Sequence, residues 1–201
     1  MSAPHVVPPG DPALVPSSDL AVARALLAAW SPPSAEQAAA RDRIVAFADA
    51  HPDALLRTCE EGHLTGSAFV VDAAGERALL LRHAKLQRWL QPGGHADGDA
   101  NLAHVAWREA TEETGIEGLA VVVPPIDVDV HRVAPPGDVP HDHLDVRFLV
   151  VAPAGAEPVG NHESEALRWV TPTGLAELAD EPGLRRLAAA GFSLARSLVS
   201  R

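Results

Sequence analysis

Three glutamates within five residues are the feature of this sequence with the clearest chemical meaning. Glu109, Glu112 and Glu113 stand at positions i, i+3 and i+4, so a helix would place their carboxylates on one face, one turn apart. Like charges at that spacing repel each other, and a bound cation would relieve the repulsion. Ligands that offer only carboxylate oxygens favour Mg²⁺ or Mn²⁺ over zinc. A solvated, charge-rich helix is the alternative interpretation.

A helix that begins after Asn101 and ends before Gly115 is predicted to carry these acids. Asparagine is a common N-cap, and glycine commonly follows the last helical turn. Leu102, Val105 and Ala106 form an apolar stripe, and at the helical period the glutamates continue that stripe. Acidic side chains therefore extend a face that would otherwise pack against the core.

The segment from Gly94 to Ile116 resembles the Nudix box, G-x5-E-x7-R-E-U-x-E-E-x-G-U, in which U is an apolar residue. Besides the three glutamates, the matching positions are Gly94, Arg108, Gly115 and Ile116. Ala110 occupies a position that is usually bulkier and aliphatic. Ala100 stands where the signature has its first glutamate, a residue that supports the metal site. This departure bears on the number of metal ions and on the catalytic rate rather than on the fold.

The resemblance implies a role for each matching residue. Glu112 and Glu113 would bind the metal directly, with the Gly93 carbonyl as a further ligand. Glu109 would bind a metal or help to deprotonate the attacking water, and Arg108 would orient the glutamates. Family members hydrolyse a diphosphate linked to another group, with Mg²⁺ or Mn²⁺ held by few carboxylates and by the substrate's own phosphates. The fold implied is α/β, an α/β/α sandwich with a mixed sheet.

The loop before the glycines supplies candidate substrate-binding residues. Lys85 and Arg88 either contact phosphate oxygens or face water. Trp89 either stacks on a base or anchors the loop in the core. His95, which directly follows the two glycines, is a further candidate.

Histidines on two later strands form a second group. Asp127, Asp129 and His131 alternate along a predicted strand and therefore share one face. His131, His141 and His143 are expected to converge across a hairpin. A transition-metal site is one interpretation, because histidine is a common metal ligand. Substrate contact, for which His131 and His143 are the candidates, is the second, and ordinary exposed or core-edge histidines are the third.

An acidic turn precedes the strand that carries Arg168, Trp169 and Val170. It resembles a segment of many Nudix proteins in which a loop glutamate completes the metal shell or serves as base. Glu163 is the candidate catalytic residue here, and Glu165 is the alternative. A surface turn that carries two acids remains the other interpretation.

The chain is predicted to have three segments. Residues 1–16 are Pro-rich and predict a loose arm, residues 17–60 predict an N-terminal helical extension, and residues 61–201 predict the Nudix hydrolase domain. The extension is not part of the minimal family fold, so it either covers the sheet, shapes the substrate pocket or builds a homodimer interface. One strand is expected before Pro124-Pro125 and a second strand after it.

Composition limits the classes of function. The 201 residues are 47% hydrophobic and carry a net charge of −11, which argues against binding of nucleic-acid polymers or membrane surfaces. A nucleotide substrate remains compatible, because a bound metal reverses the local field. A single cysteine, Cys59, excludes an intramolecular disulfide and fits a reducing compartment. With no long apolar run and no secretion signal, a cytoplasmic location is expected.

The sequence therefore predicts metal-dependent attack of water on a phosphoanhydride. A nucleotide-linked diphosphate is the expected substrate, by analogy with the family. A non-catalytic nucleotide-sensing module is the main alternative, favoured by Ala100. A prenyl-diphosphate isomerase, which would need Cys59 in the cleft, and a partner-binding protein built on the N-terminal helices are the others.

Overall fold

In the part of the chain that the structure describes, an eight-stranded mixed sheet carries helices on both faces. The computed structural model describes residues 3–134, 139–160 and 164–200. The strands are β1 (His5–Val7), β2 (Gly62–Val71), β3 (Ala78–His83), β4 (Trp89–Leu90), β5 (Gly93–His95), β6 (Ala120–Val133), β7 (His141–Val151) and β8 (Ser164–Val170). The helices are α1 (Leu20–Ala29), α2 (Ala35–Ala50), α3 (Leu102–Thr114), α4 (Pro172–Leu178) and α5 (Pro182–Val199), and a short 3-10 helix covers Pro12–Leu14.

Strand β7 joins the two parts of the sheet. It runs antiparallel to β6 and parallel to β2, with Gly62–Val71 paired along Asp142–Val151. Strand β2 then pairs antiparallel with β5 at one end and with β3 at Val71. The order β1-β6-β7-β2-β3-β4, with β5 on β2 and β8 on β3, is the mixed sheet of the predicted α/β sandwich.

Alternation along β2 divides the core in two. A Cβ at Gly66 would lie 2.9 Å from the Leu102 carbonyl oxygen, so this residue faces α3. The first core fills that side, and α1, α2 and α3 all contribute to it. Phe69 points to the opposite face, where it meets Phe192 of α5 with ring centroids 5.2 Å apart. Since successive strand residues alternate, His63, Thr65 and Ser67 also lie on the α5 side.

The caps predicted for α3 are confirmed. The Asn101 side chain accepts a hydrogen bond from the His104 amide, and Gly115 has a φ of 66°, the left-handed conformation that glycine adopts at low cost. The helices of the N-terminal extension also begin at capping residues, Asp19 for α1 and Ser34 for α2.

The prediction of a loose arm over residues 1–16 is wrong for its middle part. His5–Val7 pairs antiparallel with Val121–Val123 and adds an edge strand to the sheet. Val7 is buried, which explains why a Pro-rich segment without periodicity is still ordered there. The two strands expected around Pro124-Pro125 form one strand, β6, whose pairing with β7 shifts register between Val122 and Asp127.

Among the described residues, no helix has both the length and the apolar character that crossing a membrane requires.

Candidate functional site

The three glutamates of α3 lie beside the glycine strand β5, with different exposure. Glu113 is 6% exposed, and its Oε2 accepts a hydrogen bond of 2.8 Å from the Gly93 amide. A Cβ on Gly94 would overlap the Glu109 carboxylate, so glycine leaves room for that side chain in its present position. Glu112, on the same helix, is exposed. The glycine strand and the acidic helix therefore form one site.

Arg108 connects the acids to β5. Its guanidinium donates a hydrogen bond of 2.8 Å to the His95 carbonyl and forms an ion pair of 2.9 Å with Glu109. Arg108 therefore links Glu109 to β5, and its role in orienting the glutamates stays a prediction.

The position of the absent first glutamate is closed to solvent. Ala100 is fully buried in the first core, and its amide donates to the Ser17 carbonyl. The two nearby aspartates have other partners: Asp97 makes two hydrogen bonds of 2.7 Å with Arg57, and Asp99 accepts one of 2.9 Å from the Ser17 amide. Residues of the described chain around position 100 therefore bring no acid in its place.

The donor set at β5 and α3 fits a hard divalent cation. Glu109, Glu112 and Glu113 offer only oxygen, and the Gly93 amide donates a hydrogen bond to the last of them. Mg²⁺ and Mn²⁺ prefer such ligands and leave positions for substrate phosphate oxygens.

The candidate substrate-binding residues of the loop before the glycines lie in different environments. Lys85 is exposed. Arg88 forms an ion pair with Glu181, the residue that precedes α5. Trp89 is half-buried against the second core, and the Arg168 guanidinium lies 5.1 Å from its ring centroid. This packing favours the anchoring interpretation of Trp89 over base stacking.

Histidine rings gather where β2, β5 and β7 meet. His143 lies 5.5 Å from His131 and 5.3 Å from His141 between ring centroids. Two further rings join this group: His63 is 5.1 Å from His143 and 4.8 Å from His95. The sequence interpretation missed His63, because its position depends on the parallel pairing that sets His63 beside His143.

Burial lowers the pKa of three of these histidines. Loss of solvent is the main cause, and neighbouring cationic groups add to it. The pKa of His95 falls to about 4, with Arg57 and His63 as the next causes. The pKa of His143 falls to about 2, and that of His63 also lies below its ordinary value. His131 differs, because its hydrogen bond to Asp129 raises its pKa.

A buried ion-pair network lies next to the histidines. Arg147 is 4% exposed and pairs with Asp145 at 2.7 Å and with Asp127 and Asp129 at 3.1 Å each. Arg186 of α5 adds contacts of 2.8 and 2.7 Å to the latter two aspartates. The hydroxyls of Thr65 and Ser67 donate to Asp145 at 2.9 Å. The network ties α5 to the sheet and gives each buried charge an opposite charge.

The acidic turn is described only in part. Glu163, the candidate catalytic residue, lies outside the described residues. Glu165, the alternative, accepts a hydrogen bond of 2.7 Å from Gln87 and lies 3.8 Å from Arg82.

Comparisons with known proteins identify the family and the fold. A family model described as "NUDIX domain" matches residues 63–190. The "Putative 8-oxo-dGTP diphosphatase 3" of Mycobacterium tuberculosis is 34% identical over 118 residues, which are 54% of this chain and 51% of that protein. The chain thus spans about half the length of the curated relatives it matches.

Solved structures share the fold. A NUDIX-family hydrolase from Clostridium perfringens is 23% identical with a TM-score of 0.55, covering 66% of this chain and 97% of that chain. A C. elegans Ap4A hydrolase in a binary complex is 21% identical with a TM-score of 0.54, covering 69% and 98%. Because the family model matches more than half of the sequence and the acidic helix lies against its glycine strand, this chain belongs to the Nudix family.

Proposed function

We propose that this protein is a metal-dependent hydrolase that cleaves a phosphoanhydride bond in a nucleoside diphosphate-linked small molecule. The observation that carries the proposal is the contact of the Glu109 and Glu113 side chains with the two glycines of β5. Acids held in this way bring carboxylate oxygens of Glu109 and Glu113 next to a backbone strand, and Glu112 follows Glu109 by about one turn of the same helix.

In this proposal Glu112 and Glu113 hold Mg²⁺ or Mn²⁺, with the Gly93 carbonyl as a further ligand. The ion supplies charge neutralisation of the diphosphate and a more acidic bound water. Glu109 binds metal or accepts the proton of the attacking water, and Arg108 holds it through their ion pair. Glu163 is kept as a second candidate for the base.

The substrate class rests on the relatives. One curated relative is named as an 8-oxo-dGTP diphosphatase, and one structural neighbour as an Ap4A hydrolase. Both names denote nucleotides with phosphoanhydride bonds, and we extend that class to this chain. Lys85, Arg88 and His131 are the proposed substrate contacts, and Arg88 would have to leave Glu181 to serve as one.

A nucleotide-sensing module is the second candidate, and Ala100 favours it. The prenyl-diphosphate isomerase is disfavoured, because Cys59 is buried beside His51, with Sγ and Nδ1 3.8 Å apart, before β2 begins.

The test is a panel of nucleoside diphosphate compounds assayed with Mg²⁺ and with Mn²⁺. Glu113→Gln keeps the size of the side chain but removes its charge, and we expect kcat to fall by about 100- to 10,000-fold, the usual range for an essential acid-base or charge-stabilising group. Product analysis by chromatography in ¹⁸O-labelled water would identify the phosphorus that is attacked.

Glu117→Gln is the matched control, since Glu117 is exposed just beyond the same helix. It should turn over substrate like the unaltered protein. Equal turnover by the Glu113→Gln and Glu117→Gln variants would overturn the enzyme assignment at this site. Nucleotide binding without turnover across the whole panel would favour the sensing module.

A further inference from the structure

We propose that His63, His95 and His143 bind one transition-metal ion of the zinc type, at a site distinct from the acidic site on α3. The three residues come from β2, β5 and β7, so the sheet itself brings them together. This proposal goes beyond the hydrolase function and does not depend on it.

The geometry is close to that of a metal site. One ring nitrogen from each histidine lies within 4.8 Å of the other two. Tetrahedral zinc with Zn–N bonds of about 2.0–2.1 Å would hold its ligand nitrogens about 3.3–3.4 Å apart. Side-chain rotations that move each nitrogen by less than about 1 Å would close the difference.

Buried ring nitrogens of His63 and His143 support the metal site. Three ring nitrogens in the described part of the chain are buried and make no hydrogen bond: Nδ1 and Nε2 of His63, and Nε2 of His143. The Cys59 carbonyl lies near the His63 ring and favours protonation of that ring, but the two groups do not reach hydrogen-bond geometry. A buried polar atom without a partner is costly and is rare in native proteins. Coordination to a metal would satisfy these nitrogens.

Substrate contact explains the group less well. His63 is 2% exposed, so a nucleotide would not reach its ring, whereas a single ion would. Asp97, which follows β5, accepts two hydrogen bonds from Arg57 and is not grouped with the three histidines. The ligand set therefore consists of imidazole nitrogens, which suit zinc, copper or nickel rather than Mg²⁺.

The two proposed sites lie on opposite faces of β5. Gly94 faces the Glu109 carboxylate, and the next residue, His95, projects to the other side of the strand. Three histidines leave one tetrahedral position for water or a ligand oxygen.

The test measures zinc on full-length protein without an affinity tag, because a histidine tag would itself bind metal. After removal of metals with EDTA and addition of Zn²⁺, desalted protein should retain about one zinc per chain by elemental mass spectrometry. His143→Gln and His95→Gln should each weaken zinc binding by about 100-fold or more, since even the loss of an outer partner of a metal ligand costs about 10- to 100-fold.

His104→Gln is the matched control. His104 is a half-buried histidine on α3 that is hydrogen-bonded to Asp99. This variant should bind zinc like the unaltered chain. Circular dichroism and cooperative unfolding would show that each variant is folded. X-ray absorption of the zinc-loaded unaltered protein, which needs no variant, should show three imidazole ligands.

Failure to retain zinc, retention undiminished in both the His143→Gln and His95→Gln variants, or an absorption spectrum without imidazole ligands would overturn the proposal. The outcome is separable from the hydrolase proposal through Glu113→Gln, which should lose turnover and keep its zinc. Cobalt gives a second readout, because Co²⁺ in a tetrahedral nitrogen site absorbs visible light and the spectrum should be lost in His143→Gln.

Discussion

The glutamates of the acidic site differ in how the surrounding residues accommodate them. Glu113 is almost buried, so its charge needs a partner, and the Gly93 amide supplies one. Glu109 fits in its present position because Gly94 has no side chain. The glycines of the box therefore provide space and a hydrogen-bond donor for the acids, and this role can be tested separately from the acids' own chemistry.

Gly94→Ala should reduce kcat by about 100-fold with little loss of stability. The new methyl group would overlap the Glu109 carboxylate, and a displacement of about 1 Å at a catalytic group costs about that much in rate. Glu109 can rotate away, so the fold should tolerate the change. The measurements are kcat with Mg²⁺ and the free energy of unfolding in urea.

Gly174→Ala provides the comparison for this variant. A Cβ there would meet its nearest atoms at 3.6 and 3.8 Å, which is ordinary contact. Its kcat should stay unchanged. A Gly94→Ala variant with undiminished kcat would show that the position of Glu109 does not matter for turnover.

Among the elements, α3 depends on the segment that precedes α1. The side-chain nitrogen Nδ2 of Asn101 donates to the Ala13 and Val15 carbonyls at 2.8 and 3.0 Å, while the side-chain oxygen Oδ1 caps the helix. The Asp99 carboxylate and the Ala100 amide both bond to Ser17. The N-terminal segment is therefore fastened to the first turn of the helix that carries the acids.

Asn101→Ala should lower the free energy of unfolding by about 2 kcal/mol. A lost N-cap costs about 1 kcal/mol, and the two carbonyls that lose their donor add about as much again at this partly exposed site. Thr171→Ala, which removes the cap of α4 alone, should cost about 1 kcal/mol. Urea unfolding of both variants measures the difference. Equal losses in the two would mean that the contacts to residues 13 and 15 do not hold the helix.

The parts of the fold that the sequence predicted are those with local signals. The caps of α3 and the two N-terminal helices follow from residues within a few positions of each other. His5–Val7 was missed because its strand is defined only by a partner more than a hundred residues later. His63 was missed for the same reason, since parallel pairing of β2 with β7 leaves no local pattern.

Over the whole molecule, one face of the sheet changes from apolar to ionic to histidine-rich. The α5 side begins at Phe69, continues through the Arg147 network and ends at His63 and His143. Burial would raise the pKa of Asp129, but the hydrogen bond with His131 and the ion pairs with Arg147 and Arg186 hold that pKa well below its ordinary value. For His63 and His143, at the end of this face, burial dominates and disfavours the protonated ring. Lowering the pH should therefore destabilise the folded protein there first.

Unfolding in EDTA should show stability that falls as the pH is lowered from 7 to 5. The folded-state pKa values of His63, His95 and His143 lie below the ordinary 6.5, so the unfolded chain binds protons in this window that the folded chain does not. Each such histidine costs up to about 1.4 kcal/mol per pH unit, and His143 alone about 2 kcal/mol over the window. His131, with a raised pKa, opposes the trend, but its side chain is 43% exposed and its effect is smaller. Urea denaturation at each pH gives the slope of the free energy of unfolding against pH. His143→Gln should flatten this slope, whereas His5→Gln, at an exposed site, should leave it unchanged. A slope unaffected by His143→Gln would contradict the buried, neutral state of that ring.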